Sequence, residues 1–359
     1  MSDTGAYFTH WRVGVCGSSH NLPAMAEEMC EALGEQLGAR PTVKVVHSGL
    51  KRRSGAKPGT FAADWHFIEG VRRTMRQSAD ERIETMLADS DTASPGTISV
   101  AAEGIKASTE VGAETFVEGR VVQIRARNRE ARRFRFVNAL DAVIGLGGGV
   151  GTRQQLTLGS AIDIPVLPVP SFGGTAARFW LEHRTDLMSR LAIDEATAAR
   201  WEQVPRTRDD ICQIAADMVH RLLRCLPRRC FVIMPYDRRF DTLYDLVIEP
   251  SVNALGDTVM RLDRMHRPGA IIQQIEEGIR SADYCIVVLD GLRPNVLYEM
   301  GMAQALKKPL AIIMQQGALG DEAHVPFDIS TLQRIEYERP DKDTLRRLRA
   351  ALQHLTSGR

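Results

Sequence analysis

Four short apolar runs constrain this chain more than any other feature. Asp141 to Leu146, Ile164 to Val169, Cys230 to Met234 and Tyr284 to Leu289 each have the length of one buried strand, and turns and helix-like stretches separate them. A strand without polar alternation must be covered on both faces, and intervening helices supply that cover. The order strand, loop, helix, strand predicts right-handed parallel crossovers. The fold class expected is α/β, with two Rossmann-like doubly wound parallel-sheet domains joined by a helical linker.

In the first half, Trp11 to Cys16 reads as a strand, followed by a Gly-Ser-Ser turn and an amphipathic helix from about Pro23 to Leu37. Val43 to His47 is a second strand, and the polar tract Ser48 to Thr60 predicts a mobile loop. Ile98 to Ala101 is a weak strand, and Arg120 to Arg135 carries seven arginines. Residues 181–227 read as helical, with Ile211, Ala215, Met218, Val219, Leu222 and Leu223 on one face. Pro227 stops that helix. The expected domains are 1–205 and 229–359, with a linker helix at 206–228. The second half predicts strands at 230–234, 258–262, 284–289, 309–314 and 333–337, with helices at about 240–255, 268–281 and 296–307.

Among 359 residues, 46 Lys and Arg balance 45 Asp and Glu, a net charge of +1, so no bulk field draws the chain to nucleic acid. No run approaches the roughly 18 apolar residues of a membrane span. The start of the chain lacks the pattern of a secretory signal. The six cysteines are scattered without a C-x-x-C pair, which fits reduced thiols better than disulfides or a zinc site. The expectation is a cytoplasmic protein with no metal, no resident cofactor and neither membrane nor nucleic acid as partner.

Two constellations carry chemistry. Gly145-Leu146-Gly147-Gly148-Gly149-Val150-Gly151-Thr152 joins a strand to a helix, where glycines let backbone N–H groups approach an anion. Thr152 can donate to a phosphate or cap the helix, and a plain tight turn is the alternative. In the second half, Asp290, Asn295 and Glu299 follow a buried strand and enter a helix. Acids there meet in the crevice where open sheets bind ligands. A carboxylate in such a place can stabilise the charge that develops when a ribosyl C–N bond breaks. Glu299 as a first-turn acid and Asp290 as a cap are the bland alternatives.

Val15-Cys16-Gly17-Ser18-Ser19, Arg132-Arg133, Asp141 to Ile144 and Gly148-Gly149-Val150-Gly151-Thr152 resemble the LOG family of nucleotide phosphoribohydrolases, within the SLOG superfamily. The segment Pro165 to Ala176, with Gly173-Gly174, looks like SLOG domains attached to bacterial defence proteins. The resemblance spans roughly residues 10–180 and implies a nucleotide pocket formed by Gly17, Ser18, Ser19, Arg132, Arg133, Gly148, Gly149, Gly151, Thr152, Gly173 and Gly174. The hydrolytic pattern G-G-x-G-T-x-x-E ends here in Gln155, which cannot act as a carboxylate. A sensor for a nucleotide messenger such as a cyclic ADP-ribose is therefore expected.

Cys230 to Tyr236, Asp241 to Tyr244, Arg261-Leu262-Asp263, Ala282-Asp283, Asp290, Pro294 to Ala303 and Lys308-Pro309 resemble the nucleoside 2-deoxyribosyltransferase-like proteins, part of the TIR-related N-glycosidases. Arg293 stands where that family commonly has Asn. The resemblance implies Glu299 as nucleophile or oxocarbenium stabiliser, Asp290 and Asn295 as groups that orient the ribose hydroxyls or keep Glu299 ionised, and Asp263 as acid on the base side. Met234, Pro235 and Tyr236 would shape the pocket, Phe327 could close it, and His266 reads as surface. The combined expectation is an antiphage sensor–effector. A nucleotide messenger at the first domain switches the second to cleave NAD, its substrate rather than a cofactor, within a homo-oligomer. A nucleoside-salvage glycosidase or transferase and a non-enzymatic signalling module are the alternatives.

Overall fold

The structure, a computed structural model, describes residues 10–18, 23–52, 61–88, 105–107, 114–262, 271–318 and 333–356. It divides between Leu226 and Pro227 into two compact units. The first contains β1 (Trp11–Gly17), β2 (Val43–His47), β3 (Leu50–Arg52), β4 (Ile83–Ala88), β5 (Ile105–Ala107), β6 (Glu114–Phe116), β7 (Arg120–Ile124), β8 (Ala142–Leu146) and β9 (Val166–Val169). Six of these strands form one sheet in the order β7-β4-β2-β1-β8-β9, and every neighbouring pair is parallel. β3, β6 and β5 make a small antiparallel sheet.

Burial differs between the two edges of the sheet. All five residues of β8 and all four of edge strand β9 are buried, whereas edge strand β7 leaves Arg120 and Val121 exposed. The arginine-rich stretch is thus part strand. Its helix begins only at Arg129, capped by Asn128, whose side chain accepts from Ala131 N at 2.8 Å. The helix Ala63–Thr74 packs on Ala24–Gly38 so closely that a Cβ on Gly70 would lie 1.9 Å from Glu31 O, and one on Gly34 would lie 2.1 Å from Phe67 O. Glycine is the residue that permits this approach, and the contact fixes where the first turn of Ala63–Thr74 stands.

The stretch expected to link the domains contains the helix Arg208–Arg224, whose face Ile211, Ile214, Ala215, Met218, Val219 and Leu222 is buried in the core of the first unit. Trp180 and Trp201 pack at 5.9 Å between ring centroids, and their indole N–H groups donate to Glu202 and Asp217. The segments Gly174–Glu182, Glu195–Glu202 and Arg208–Arg224 are thereby tied into one layer.

The second unit contains β10 (Arg229–Ile233), β11 (Thr258–Met260), β12 (Tyr284–Val288), β13 (Leu310–Gln315) and β14 (Arg334–Tyr337), in the order β11-β10-β12-β13-β14 and all parallel. Strand alternation builds two cores. Cys230, Val232, Tyr284, Ile286 and Val288 face one side with Leu348 and Leu352 of the helix Lys342–Thr356. Phe231, Ile233, Cys285, Val287 and Leu289 face the other with Ile279 of Ile271–Ser281 and Val296, Met300 and Ala303 of Pro294–Ala305. The doubly wound expectation describes both units. Among the described residues no helix is long and apolar enough to cross a membrane.

Candidate functional site

Each sheet reverses its winding once. In the first unit the chain runs outward from β1 through β2 and β4 to β7, then returns to place β8 on the other flank of β1. In the second, β11 lies on one side of β10 and β12 on the other. Connections leave such a strand pair in opposite directions, and a crevice opens beyond their carboxyl ends.

The first crevice lies beyond β1 and β8. A Cβ on Gly17 would meet both Ala63 Cβ and Leu146 O at 2.6 Å, so glycine here permits close packing. Ser18 N donates to Leu146 O at 3.0 Å. Gly147 and Gly148 adopt φ of 61° and 79°, which favours glycine. Their carbonyls accept from Ala176 N at 2.9 Å and Thr175 N at 3.1 Å, so Gly173-Gly174 buttresses the first glycine turn from behind. Thr152 is buried, and its hydroxyl donates to Gly17 O at 3.3 Å, tying the β8 turn to the end of β1. Gly149 is exposed, and a Cβ there would meet nothing within 4 Å among the described residues. The helix Val150–Ala161 that follows has no side-chain cap, which leaves its first-turn N–H groups as anion donors.

Arg133 donates to Gln154, and its guanidinium lies where a Cβ on Gly151 would come within 3.0 Å. Arg132 acts electrostatically on Asp64, which belongs to the helix whose first residue, Ala63, donates its N–H to Ser18 O at 2.8 Å. Asp64 was not foreseen. It is buried at 6% exposure, and its Oδ2 accepts from Ser48 N at 3.1 Å and Ser48 Oγ at 2.7 Å. Burial pushes its pKa up to about 6, against the opposing pull of Ser48 and Arg132. The signal lay in the sequence as an acid on an apolar helical stripe, Asp64, Phe67, Ile68 and Val71, all buried.

The second crevice lies beyond β10 and β12. Met234 and Pro235 are buried and Tyr236 is 40% exposed. Asp290 is buried, and both its oxygens are engaged. Oδ1 accepts from Gln315 N at 2.6 Å and Oδ2 from Tyr337 Oη at 2.5 Å. It therefore ties the end of β12 to β13 and β14, and burial raises its pKa in spite of these donors. Gly291 turns with φ 72°, and Pro294 opens the next helix at its first position, where a missing N–H costs nothing.

Glu299 is one turn inside that helix and 2% exposed. Its Oε2 is buried and has no hydrogen-bond partner among the described residues. Burial alone pushes its pKa up to about 7. Asn295, four residues earlier on the same side of the helix, is exposed. At the end of β11, buried Arg261 lies 5.0 Å over the Tyr244 ring and pairs with Asp241 at 2.8 Å. Tyr244 begins a π-turn, Tyr244–Ile248, a local irregularity often found at functional sites. Ser19, Asp263, His266, Phe327 and the strand expected at Ile98 to Ala101 lie outside the described residues.

No family model and no curated protein matches this chain. Among solved structures it is similar to the molybdenum cofactor carrier protein from Chlamydomonas reinhardtii, at 16% identity over 60% of this chain and 99% of that one, with a TM-score of 0.34. It is also similar to the molybdenum cofactor binding protein from the phototrophic bacterium Rippkaea orientalis, at 13% identity over 57% and 94% of the chains, with a TM-score of 0.33. For DNA processing protein A from Helicobacter pylori the values are 13%, 49%, 74% and 0.31. The functional reading rests on the two crevices themselves.

Proposed function

We propose that this chain is a nucleotide-controlled N-glycosidase, in which the SLOG-like first unit binds a nucleotide messenger and the second unit hydrolyses NAD. The observation that carries the reading is Glu299, a buried acid one turn into the helix after β12 whose Oε2 has no hydrogen-bond partner among the described residues. A carboxyl group kept in that state costs stability, and such a cost is commonly retained where the group acts on a ligand. Its position beside the crevice at the switch point gives it a task.

The C–N bond of an N-ribosyl pyridinium breaks with both electrons going to the ring nitrogen, so nicotinamide leaves neutral and needs no proton. Positive charge develops at the anomeric carbon. Glu299 in its ionised form stabilises that charge, and water adds to the same carbon and releases one proton. A cationic substrate also draws the Glu299 pKa down from about 7, so binding itself ionises the group. Asp290 keeps the turn in place through Gln315 and Tyr337. Tyr236, partly exposed at the end of β10, is available to stack on a base.

The test is nicotinamide release from NAD by the full chain, with and without cyclic ADP-ribose isomers and cyclic nucleotides, alongside Glu299→Gln. Release that depends on both a ligand and Glu299 is expected. Because a half-protonated Glu299 can also donate to a neutral leaving base, deoxynucleosides form the second substrate panel. Turnover of those without any messenger would replace this reading with a salvage enzyme. A role in antiphage defence and activation by self-association belong to the same proposal. Equal activity of wild type and Glu299→Gln on every substrate would overturn it.

A further inference from the structure

The first crevice contains a carboxylate that anion binding does not explain. Asp64 is buried on Ala63–Thr74, as are Phe67, Ile68 and Val71. The residue before it, Ala63, donates its N–H to Ser18 O at 2.8 Å, and its Cβ, with Leu146 O, excludes a side chain at Gly17. Ser48, immediately after β2, donates to Asp64 through both backbone and hydroxyl. Asp64 is therefore anchored at the carboxyl ends of β1 and β2, beside the switch point. The glycine turn and Arg133 occupy the β8 side, and the charge of Arg132 is felt at Asp64.

A fixed negative charge in this place repels phosphate, so a crevice for phosphate alone would be better without it. A neutral amide could equally well tie down the Ser48 turn. What a buried carboxylate supplies, and an amide does not, is a strong acceptor for hydroxyl groups. Both Ser48 bonds fall on Oδ2. The crevice thus has an end rich in N–H donors and cations at Gly149, Gly151 and Arg133, and a hydroxyl-accepting end at Asp64. A ligand that matches both ends carries phosphate at one side and hydroxyls at the other.

We propose that Asp64 reads the ribose hydroxyls of the first unit's ligand, making this crevice selective for ribonucleotides over deoxyribonucleotides and over bare polyphosphate. The proposal rests on the reading of that crevice as a nucleotide site. Burial, which holds the carboxyl near a pKa of about 6, leaves it mostly ionised at neutral pH and able to accept.

The test is calorimetric titration of the full chain with AMP, 2′-deoxy-AMP, 3′-deoxy-AMP and inorganic pyrophosphate. The wild type is expected to bind AMP about tenfold or more tightly than at least one deoxy analogue, the scale of one hydrogen bond to a charged acceptor. Asp64→Asn should bring AMP down to the level of that analogue while leaving pyrophosphate unchanged or tighter. Ser48→Ala, which removes one donor from Asp64 and leaves the carboxylate, should keep the preference for AMP. Equal wild-type affinity for AMP and both analogues would overturn the inference without any variant. An Asp64→Asn protein that folds and keeps the full preference would overturn it as well. If AMP binds, Gly149→Asp abolishes it and no discrimination appears, then only the hydroxyl reading fails. If neither AMP nor pyrophosphate binds the wild type, the nucleotide reading fails and takes this one with it.

Discussion

In the first unit the turn after β8 is built from glycines, with Gly149 exposed and Arg133 alongside. In the second, the turn after β12 is closed by the doubly bonded Asp290 and followed by the buried acid Glu299. Both turns stand at a switch point of an all-parallel sheet. The architecture fixes where a ligand is held, and the residues at the strand ends decide which sign of charge is welcome. Backbone N–H groups and guanidinium favour an anion, whereas a desolvated carboxylate favours a developing cation. On the proposed function, one fold used twice binds a phosphate in one unit and acts on a glycosidic bond in the other.

The sharpest way to break the contrast is Glu299→Gln. Turnover should fall by about a thousandfold or more, the scale of removing a preorganised group from a transition state. Stability should move in the opposite direction. The folded-state pKa of Glu299 is raised to about 7, above its ordinary carboxylate value, so between those two values the folded state holds the proton more tightly than the unfolded chain. Stability contributed by the neutral acid is present at low pH and lost as pH rises toward 7. The variant, which is neutral at every pH, should gain on the order of 1–3 kcal/mol over wild type near pH 8 and nothing near pH 4. Urea unfolding at the two pH values measures this, and an equal effect at both would remove Glu299 from the buried acidic role. In the wild type, kcat/KM for NAD should rise with pH through about 7 with a single ionisation.

How much of this could be read from the chain depends on burial. Runs such as Ala142–Leu146 and Tyr284–Val288 are buried throughout, so the apolar signal is unbroken and both central strands and their turns are legible. Edge strand β7 is half solvated and lies among arginines, so no apolar run marks it. Ala63–Thr74 is harder still. Its packing face contains Asp64, His66 and Gly70, so its apolar stripe is interrupted by the residues that make it interesting. Glu299 and the glycine turn were legible because chemistry and punctuation coincide there. The engagement of both Asp290 oxygens was not, since Tyr337 lies 47 residues downstream and joins it only through the sheet.

A second comparison lies within the glycine turn. A Cβ on Gly148, at φ 79°, would fall 2.0 Å from Thr152 Oγ1, while one on Gly149 meets nothing within 4 Å among the described residues. Gly148→Ala should therefore cost about 1–3 kcal/mol of first-unit stability through strain. Gly149→Asp should leave the fold intact, because Asp is a favoured residue before a helix. It should nevertheless weaken pyrophosphate binding by about a hundredfold, since like charges within a few ångströms repel strongly at an effective dielectric of about 20. Melting curves with and without pyrophosphate separate the two effects. Loss of folding in Gly149→Asp would contradict the open space seen there.

Tyr337→Phe probes the second turn at lower amplitude. It strips one donor from buried Asp290 and leaves Gln315 N on the other oxygen. A buried acceptor that loses its partner costs about 1–3 kcal/mol, which calorimetry should register in the unfolding of the second unit. Nucleotide binding by the first unit should not change. A silent substitution would mean that water replaces the phenol and that Asp290 is more accessible than its burial implies.

Asn295→Ala should give the smallest effect and the most specific one. Asn295 is exposed, so no core contact is lost, and stability should stay within about half a kcal/mol of wild type. It lies four residues before Glu299 on the same side of the helix, and on the proposed function its amide bonds a ribose hydroxyl. Losing one neutral hydrogen bond to a ribose hydroxyl should lower kcat/KM by about tenfold or less. The split between kcat and KM locates the bond. A change in KM alone means that Asn295 holds the ground state, and a change in kcat means that its bond strengthens as the glycosidic bond breaks. No change in either would leave Glu299 without help from its own helix and move the search for a ribose-orienting group to the end of β10, at Tyr236.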